Sequence, residues 1–425
     1  MKKQLNVLEL FAGVGGFRVG LENANREFFH TKWANQWEPS RKSQDAFDVY
    51  NYHFPNSINI NKNIENISDE TFLNMDVDMI VGGFPCQDYS VARSKKMELG
   101  IEGKKGVLFW EIIRATRLTN PKYLILENVD RLLKSPSKQR GRDFAIMLAS
   151  FNSLGYSVEW RVINAAEYGR SQRRRRVFFF VFKNDTPQAS KMNSNSLINN
   201  LDTYEDFAEY IFETGLFACQ FPIKKAPYKN RISSGFLEQD IVSISDNFVG
   251  NIWNTGVMHR GRYVTIDTKQ DSSEAPIPLK DIIIPAKEVP EKFIISDIKK
   301  LEKFKYLRGS KKIERTSKDG YKYIFSEGGM SPTDSLDLPG RTMLTSEGSL
   351  NRSTHLLYTE GVHRLLTPIE AERLQDFPDN WTKFKKNENG EILEVSDRMR
   401  MFFMGNALVT EIVKMIGDGI CEIEK

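Results

Sequence analysis

Cys86 stands in the stretch DMIVGGFPCQDYS, residues 78–90, just past a short apolar run and behind Gly82, Gly83 and Pro85. A lone buried cysteine is ordinarily a small hydrophobe. This one follows what reads as the carboxyl end of a strand, where α/β folds place their ligands. The residues after it, QDYSVARSKKMELGIEGKKG, are polar, basic and punctuated by glycine, the composition of a lid over an anionic substrate. A nucleophilic thiolate in a lidded cleft accounts for these features together. With an ordinary thiol pKa of ~8.5 it needs an activating neighbour, and nearby arginines are candidates. Two further groups are placed for chemistry. Glu127 ends the apolar run YLILENV, where a carboxyl can be a general acid, a partner for a base edge, or simply a cap or salt bridge. In SQRRRRVFFF the alternating Arg174 and Arg176 point to one side of an extended segment.

The elements that must hold these residues are short β-type runs alternating with helix-length amphipathic segments over the first 180 or so residues. NVLEL (6–10), DMIVGG (78–83), YLILENV (123–129) and RVFFFVF (176–182) read as strands buried on both faces. FRVGLENAN, KGVLFWEIIRATRLTN and DFAIMLASFNSLG read as the helices between them. The expected fold is therefore α/β, a doubly wound and mostly parallel sheet of Rossmann-like type. After KNDTP (183–187) the chain becomes polar and irregular, predicting a second, smaller β-containing domain. TPIEAERLQDF (367–377) predicts a helix with Thr367 as cap, Pro368 in the first turn and Glu370 completing a capping box. NALVTEIVKMIGDGICEI predicts an amphipathic helix returning to the first domain.

The first strand runs into a glycine turn, LELFAGVGGFRVGLE. Gly13, Gly15 and Gly16 permit a tight turn and close approach of a ligand to the following helix. The spacing is not G-x-G-x-x-G, so the dinucleotide fingerprint is not met. Glu38, in ANQWEPS, is an acid at the end of the second apolar stretch, suited to the two hydroxyls of a ribose.

At 425 residues the chain has room for two domains, and 40% hydrophobic with 27% charged residues excludes a disordered or coiled-coil protein. Cys86, Cys219 and Cys421 form no C-x-x-C pair, so neither a disulfide framework nor a metal site is expected. Glu9 interrupts the apolar N-terminal run, which is expected not to be an export signal, and no run is long enough to span a membrane. A net charge of +4 means that binding of nucleic acid must rest on local basic runs, such as RSQRRRR (170–176), KSPSKQRGR (134–142) and KKLEKFKYLRGSKK (299–312). GVMHRGRYV (256–264) and SEGSLNRSTH (346–355) are either major-groove readers or ordinary surface loops.

Taken in order, these pieces resemble the DNA (cytosine-5) methyltransferase family of bacterial or phage restriction-modification type, over the first 180 residues and the last 65 or so. FAGVGGF is similar to its first cofactor motif, GGFPCQDYS to its nucleophile loop, ENV to its glutamate motif and QRRRR to its Q-x-R-x-R motif. RLLTPIEAERLQDFPDNW and MGNALV resemble its ninth and tenth motifs. The resemblance implies S-adenosylmethionine as cofactor, with Phe11 against the adenine, Gly13, Gly15 and Gly16 in the turn, and Glu38 on the ribose. Asn63 would stand where the family has an aspartate, and Pro85 and Asn406 would close the pocket. It implies Cys86 as the nucleophile that attacks C6 of a flipped-out cytosine, Glu127 at N3 and the amino group, Arg176 at O2 and Arg174 in support. Gln87, Ser90, Arg93 and Gln172 are the residues expected on DNA. Residues 1–183 with 395–425 would form the catalytic domain and 184–394 the target recognition domain with its hinge. The implied partner is duplex DNA, with a cognate endonuclease acting separately on behalf of a monomeric, cytoplasmic, nucleoid-associated enzyme. A tRNA methyltransferase of the same fold, a catalytically inactive DNA-binding relative and a nicotinamide oxidoreductase are the rival readings.

Overall fold

A computed structural model describes residues 4–85, 108–194, 205–225, 231–237, 241–272, 274–317 and 320–425. Five strands run parallel: β1 (Leu5–Leu10), β2 (Phe29–Asn35), β3 (Ile58–Ile60), β4 (Met79–Gly83) and β5 (Tyr123–Val129). Antiparallel strands continue the same sheet: β6 (Tyr156–Asn164), β7 (Arg175–Lys183), β8 (Ile232–Phe236), β9 (Thr255–His259) and β10 (Arg262–Ile266). The order is β3-β2-β1-β4-β5-β7-β6-β9-β10-β8. From β1 the chain moves to one side to make β2 and later returns to the other side to make β4. Such a switch point opens a crevice at the carboxyl ends of β1 and β4, where a ligand fits between diverging connections. The glycine turn follows β1, and Phe84 and Pro85 follow β4, so the topology alone brings them together.

Helices cover both faces because each carries one apolar stripe. On one face lie α1 (Gly16–Asn25), which contributes Phe17 and Leu21, and the C-terminal helix Thr410–Ile423, which contributes Ile412, Val413 and Ile416. Gly20 sets how close they come: a Cβ there would lie 2.5 Å from Val413 Cβ and 2.6 Å from the Thr410 carbonyl oxygen. The other face is packed by α2 (Leu108–Thr119) and α3 (Arg142–Ser153), through Phe109, Ile112, Phe144 and Met147. The capping box at Thr367 and Glu370 forms as expected, opening α5 (Pro368–Leu374).

Three expectations are corrected. RVFFFVF, read with the parallel strands, is β7 and runs antiparallel to β5, pairing Glu127 with Phe178 and Val129 with Arg176. The change of composition at 184 is not the end of the sheet, because residues 232–266 supply three of its strands, with β9 hydrogen-bonded to β6. GVMHRGRYV is accordingly neither a groove reader nor a surface loop: β9 is buried along its whole length and joined to β10 by a turn at Arg260 and Gly261. Beyond 267 the chain becomes a string of 3-10 turns, the helix α4 (Ile298–Arg308) and a two-stranded ribbon of β11 (Lys311–Thr316) and β12 (Lys322–Glu327). It then returns through α5 to α6 (Asp397–Asn406) and to α7, the C-terminal helix Thr410–Ile423. No helix among the described residues is long and apolar enough to cross a membrane.

Candidate active site

The glycine turn is built from left-handed backbone. Phe11 and Gly13 have φ of 55° and Gly15 of 92°. A Cβ at Gly13 would meet nothing within 4 Å, so the turn leaves open space at that point, whereas one at Gly15 would lie 2.7 Å from the Phe54 ring. Gly16 begins α1 against Leu408 from the far end of the chain. The amino end of α1, whose first N–H groups lack helical partners, therefore faces the crevice. Beneath the turn Glu9 is wholly buried, accepting hydrogen bonds from the Tyr50 hydroxyl at 2.9 Å and the Arg18 N–H at 3.4 Å. Burial raises its pKa to about 7, with the Tyr50 and Arg18 contacts opposing the shift.

The side chain that meets this turn is Gln36, one residue past β2, whose Oε1 accepts from the Gly13 N–H at 2.8 Å. Glu38 instead bonds locally, accepting from the Ser40 hydroxyl at 2.9 Å, while its N–H donates to the Gln44 side chain at 2.8 Å. Trp37 between them is 40% exposed, a large apolar surface next in sequence to Gln36. Asn63 caps a 3-10 turn, its Oδ1 accepting from the Glu65 N–H and its Nδ2 donating to the Glu65 carboxylate at 3.0 Å. Pro85 is exposed after β4, and Asn406 is exposed at the end of α6. Open space at Gly13, the half-buried Phe11 ring and the exposed indole of Trp37 suit a nucleoside-bearing cofactor. The residues present thus fit S-adenosylmethionine, and Gln36, which sequence reading passed over, is the side chain that meets the turn.

Glu127 and Arg176 come together from neighbouring strands. Glu127 Oε1 and Arg176 Nε are 2.8 Å apart, with side chains only 13% and 17% exposed. Arg176 Nη1 donates to the Arg175 carbonyl at 2.7 Å. Gly83, opposite Glu127 in the β4–β5 register, leaves room for the carboxylate, since a Cβ there would lie 3.1 Å from Oε2. Asn128 ties this strand to the segment before Cys86: buried, it donates from Nδ2 to the Phe84 carbonyl at 2.9 Å and accepts the Val129 N–H. Phe84 and Pro85 are the last described residues before residue 86, and Cys86, Gln87, Ser90 and Arg93 lie outside the described residues.

Arg174 lies on the same side as Arg176 but deeper. Its Nη1 and Nη2 donate to the carbonyls of Met343 at 3.1 Å and Gly405 at 3.2 Å, and its buried Nε has no partner among the described residues. Burial, reinforced by the Arg176 charge, lowers its pKa to about 9, with Glu127 opposing. Gln172, expected on DNA, is corrected outright. It is fully buried, donating to the Leu374 carbonyl at 3.0 Å and accepting the Met343 N–H at 3.0 Å. A side chain with both ends committed inside the protein cannot contact a duplex. Gln172 is a joint between the start of β7 and two segments near the end of the chain.

The switch-point crevice with a glycine turn on one wall and an acid–arginine pair on the other places the chain among the Rossmann-like methyltransferases. More narrowly, it belongs to the C-5 cytosine-specific DNA methylases, whose family model matches residues 5–422, and it is a DNA (cytosine-5) methyltransferase. The chain is 55% identical over 421 residues to the Type II methyltransferase M.Sau3AI of Staphylococcus aureus, covering 99% of this chain and 96% of that one. It is 33% identical over 181 residues to the Type II methyltransferase M.HhaI of Haemophilus parahaemolyticus, 43% of this chain and 50% of the relative. The S. pombe Dnmt2 methyltransferase superposes with a TM-score of 0.56 at 14% identity, covering 99% of this chain and 98% of that one. At that identity the likeness is one of fold alone.

Proposed function

We propose that the chain methylates C5 of a flipped-out cytosine at one sequence in duplex DNA, as the modification half of a restriction-modification pair. It acts as a cytoplasmic monomer, with the endonuclease working separately. S-adenosylmethionine held at the glycine turn supplies an electrophilic methyl group. Cytosine C5 is a weak nucleophile; addition of the Cys86 thiolate to C6 makes it an enamine-like carbon that can accept the methyl. Glu127 hydrogen-bonds N3 and the exocyclic amino group, stabilising the charge pushed into the ring. Among the described residues Arg176 sets Nε on Glu127 and Nη1 on the Arg175 carbonyl, and its Nη2 is assigned to O2. Loss of the C5 proton to a base and departure of the Cys86 sulfur from C6 then restore the aromatic ring. The attack approaches the face of the base, which stacking covers, so the cytosine must leave the helix at a cost of a few kcal/mol.

The observation that carries this reading is the Glu127–Arg176 pair at the strand ends beside Phe84 and Pro85, the residues that lead into Cys86. Within the span 184–394 we assign target recognition to the part beyond the sheet, residues 267–394. Its β11–β12 ribbon stands out with most side chains exposed, Tyr323 and Ile324 among them, and the major groove admits a two-stranded ribbon. The test is methyl incorporation from labelled S-adenosylmethionine into mixed-sequence duplex DNA and, in parallel, into tRNA, followed by digestion to nucleosides. Labelled 5-methylcytosine from the duplex is the expected product. Label confined to tRNA would overturn the duplex assignment.

A further inference from the structure

A cavity of about 530 Å³ lies away from the glycine turn, between the loop 345–349 and the first turns of α6. Two arginines, Arg41 and Arg398, line it together with the hydroxyl residues Ser346, Ser349 and Ser396, and no carboxylate is among its lining residues. The Arg41 guanidinium is held 4.2 Å from the centre of the Phe402 ring, with Nη1 3.2 Å from the Met399 sulfur. Asp45, the acid that feels Arg41, is already paired with Lys385. Arg398 is exposed on α6.

The loop is braced from behind. Glu347 turns inward and is 2% exposed, accepting from the His355 N–H at 2.7 Å and lying 3.0 Å from His355 Nδ1. With that carboxylate withdrawn, the loop presents Ser346, Gly348 and Ser349 to the cavity, and the Ser349 hydroxyl closes a turn on the Ser346 carbonyl at 2.8 Å. The same segment begins at Met343, whose carbonyl holds Arg174, and continues to Arg352, which bonds the root of the ribbon at Gly328 and Glu327. The cavity therefore sits along the chain between a catalytic-side arginine and the exposed ribbon.

Its chemistry selects an anion. S-adenosylmethionine carries a sulfonium and an ammonium against one carboxylate, and two guanidiniums with no acid leave both of its cationic groups without a partner; no glycine-turn residue lines the cavity either. Arginine with hydroxyl groups is the usual equipment for phosphate oxygens, and the space suits a backbone segment rather than an isolated ion. We infer that this cavity is a DNA-backbone site, in which Arg41 and Arg398 with the serine hydroxyls grip a phosphodiester of the duplex being methylated. The inference rests on duplex DNA as substrate.

The full-length chain and its Arg398→Ala and Arg398→Glu variants would be compared for duplex binding across a salt series, and for binding of S-adenosylhomocysteine. Arg398 is exposed, so neither variant threatens the fold. Loss of one phosphate contact should reduce the slope of log K against log salt by ~0.9, similarly for every DNA sequence. Arg398→Glu should bind more weakly than Arg398→Ala, and cofactor affinity should not change. Wild-type slope and DNA affinity in both variants would overturn the inference. So would loss of thermal stabilisation by inorganic phosphate in the variants with DNA affinity intact, which would assign the cavity to a free anion. Failure of the wild-type chain itself to bind duplex would instead overturn the substrate reading.

Discussion

Glu127 meets Arg176 through one oxygen and faces the Gly83 backbone with the other, so its charge and its shape can be separated by substitution. Glu127→Gln keeps the shape and removes the acid. Turnover should fall by roughly 10²–10⁴-fold, the usual worth of a positioned proton donor, with S-adenosylhomocysteine affinity near wild type in a titration. Unchanged turnover would remove Glu127 from the mechanism. Cys86→Ala should abolish methylation and likewise spare cofactor affinity. Glu9 makes a different prediction, through stability. Its folded pKa of about 7 lies above the ordinary carboxylate value of 4.5, so the folded state binds the extra proton. Its contribution to stability is full below the unfolded pKa and is lost as pH rises through about 7, on the order of 3 kcal/mol if no other group compensates. Denaturant titrations should show wild type losing stability between pH 5 and 8 relative to Glu9→Gln, and parallel curves would refute the assignment. At this scale the strand-end positions of Glu127 and Arg176 were legible. Gln36 was not, because without the end of β2 a two-residue shift towards an acid looks equally good. The burial of Gln172 depends on partners at 343 and 374, too distant in sequence to be seen.

The ribbon β11–β12 has little packing of its own. Tyr323 is 41% and Ile324 69% exposed, and Arg315 lies 3.9 Å from the centre of the Phe325 ring. An isolated hairpin is marginal in water, so its shape is held at the root, where Arg352 bonds the carbonyls of Leu307 and Gly328 and the Glu327 carboxylate. Replacing residues 313–325 with a two-residue turn should leave cofactor affinity intact and relax sequence choice, since each good base contact discriminates by ~1–3 kcal/mol. Sequencing the sites methylated in a random DNA pool reads this directly; an unchanged set of sites would show that the ribbon does not read bases. Elements of the first half were legible because buried strands and amphipathic helices carry strong patterns, and β5 begins and ends where YLILENV does. Strand direction was not. A run buried on both faces looks the same parallel or antiparallel, which is why β7 was grouped with the parallel set. The β9–β10 hairpin was disguised by its turn, where Arg260 and Gly261 make a buried pair of strands look like a polar loop.

Across the whole molecule the two ends of the chain complete each other. The C-terminal helix α7 covers α1 through Gly20 and Val413, and Thr410 N–H and hydroxyl bond the carbonyls of Gln375 and Asp376 after α5. Arg174 and Gln172, just before β7 and at its mouth, have their hydrogen-bond partners at 343, 374 and 405. Residues 232–266 cover the edge of β6 that would otherwise be open. Four of the six sequence motifs lie in the first 180 residues, yet that stretch is not a self-sufficient unit. Alone, residues 1–183 would expose an unpaired strand edge, the apolar stripe of α1 and a buried guanidinium stripped of both its carbonyl partners, each a substantial destabilisation. The fragment is expected to lack a cooperative urea transition and to bind no S-adenosylhomocysteine, with both properties restored by co-expression with residues 184–425. A fragment that unfolds cooperatively and binds the cofactor by itself would show that the catalytic half needs neither the antiparallel extension nor the C-terminal return.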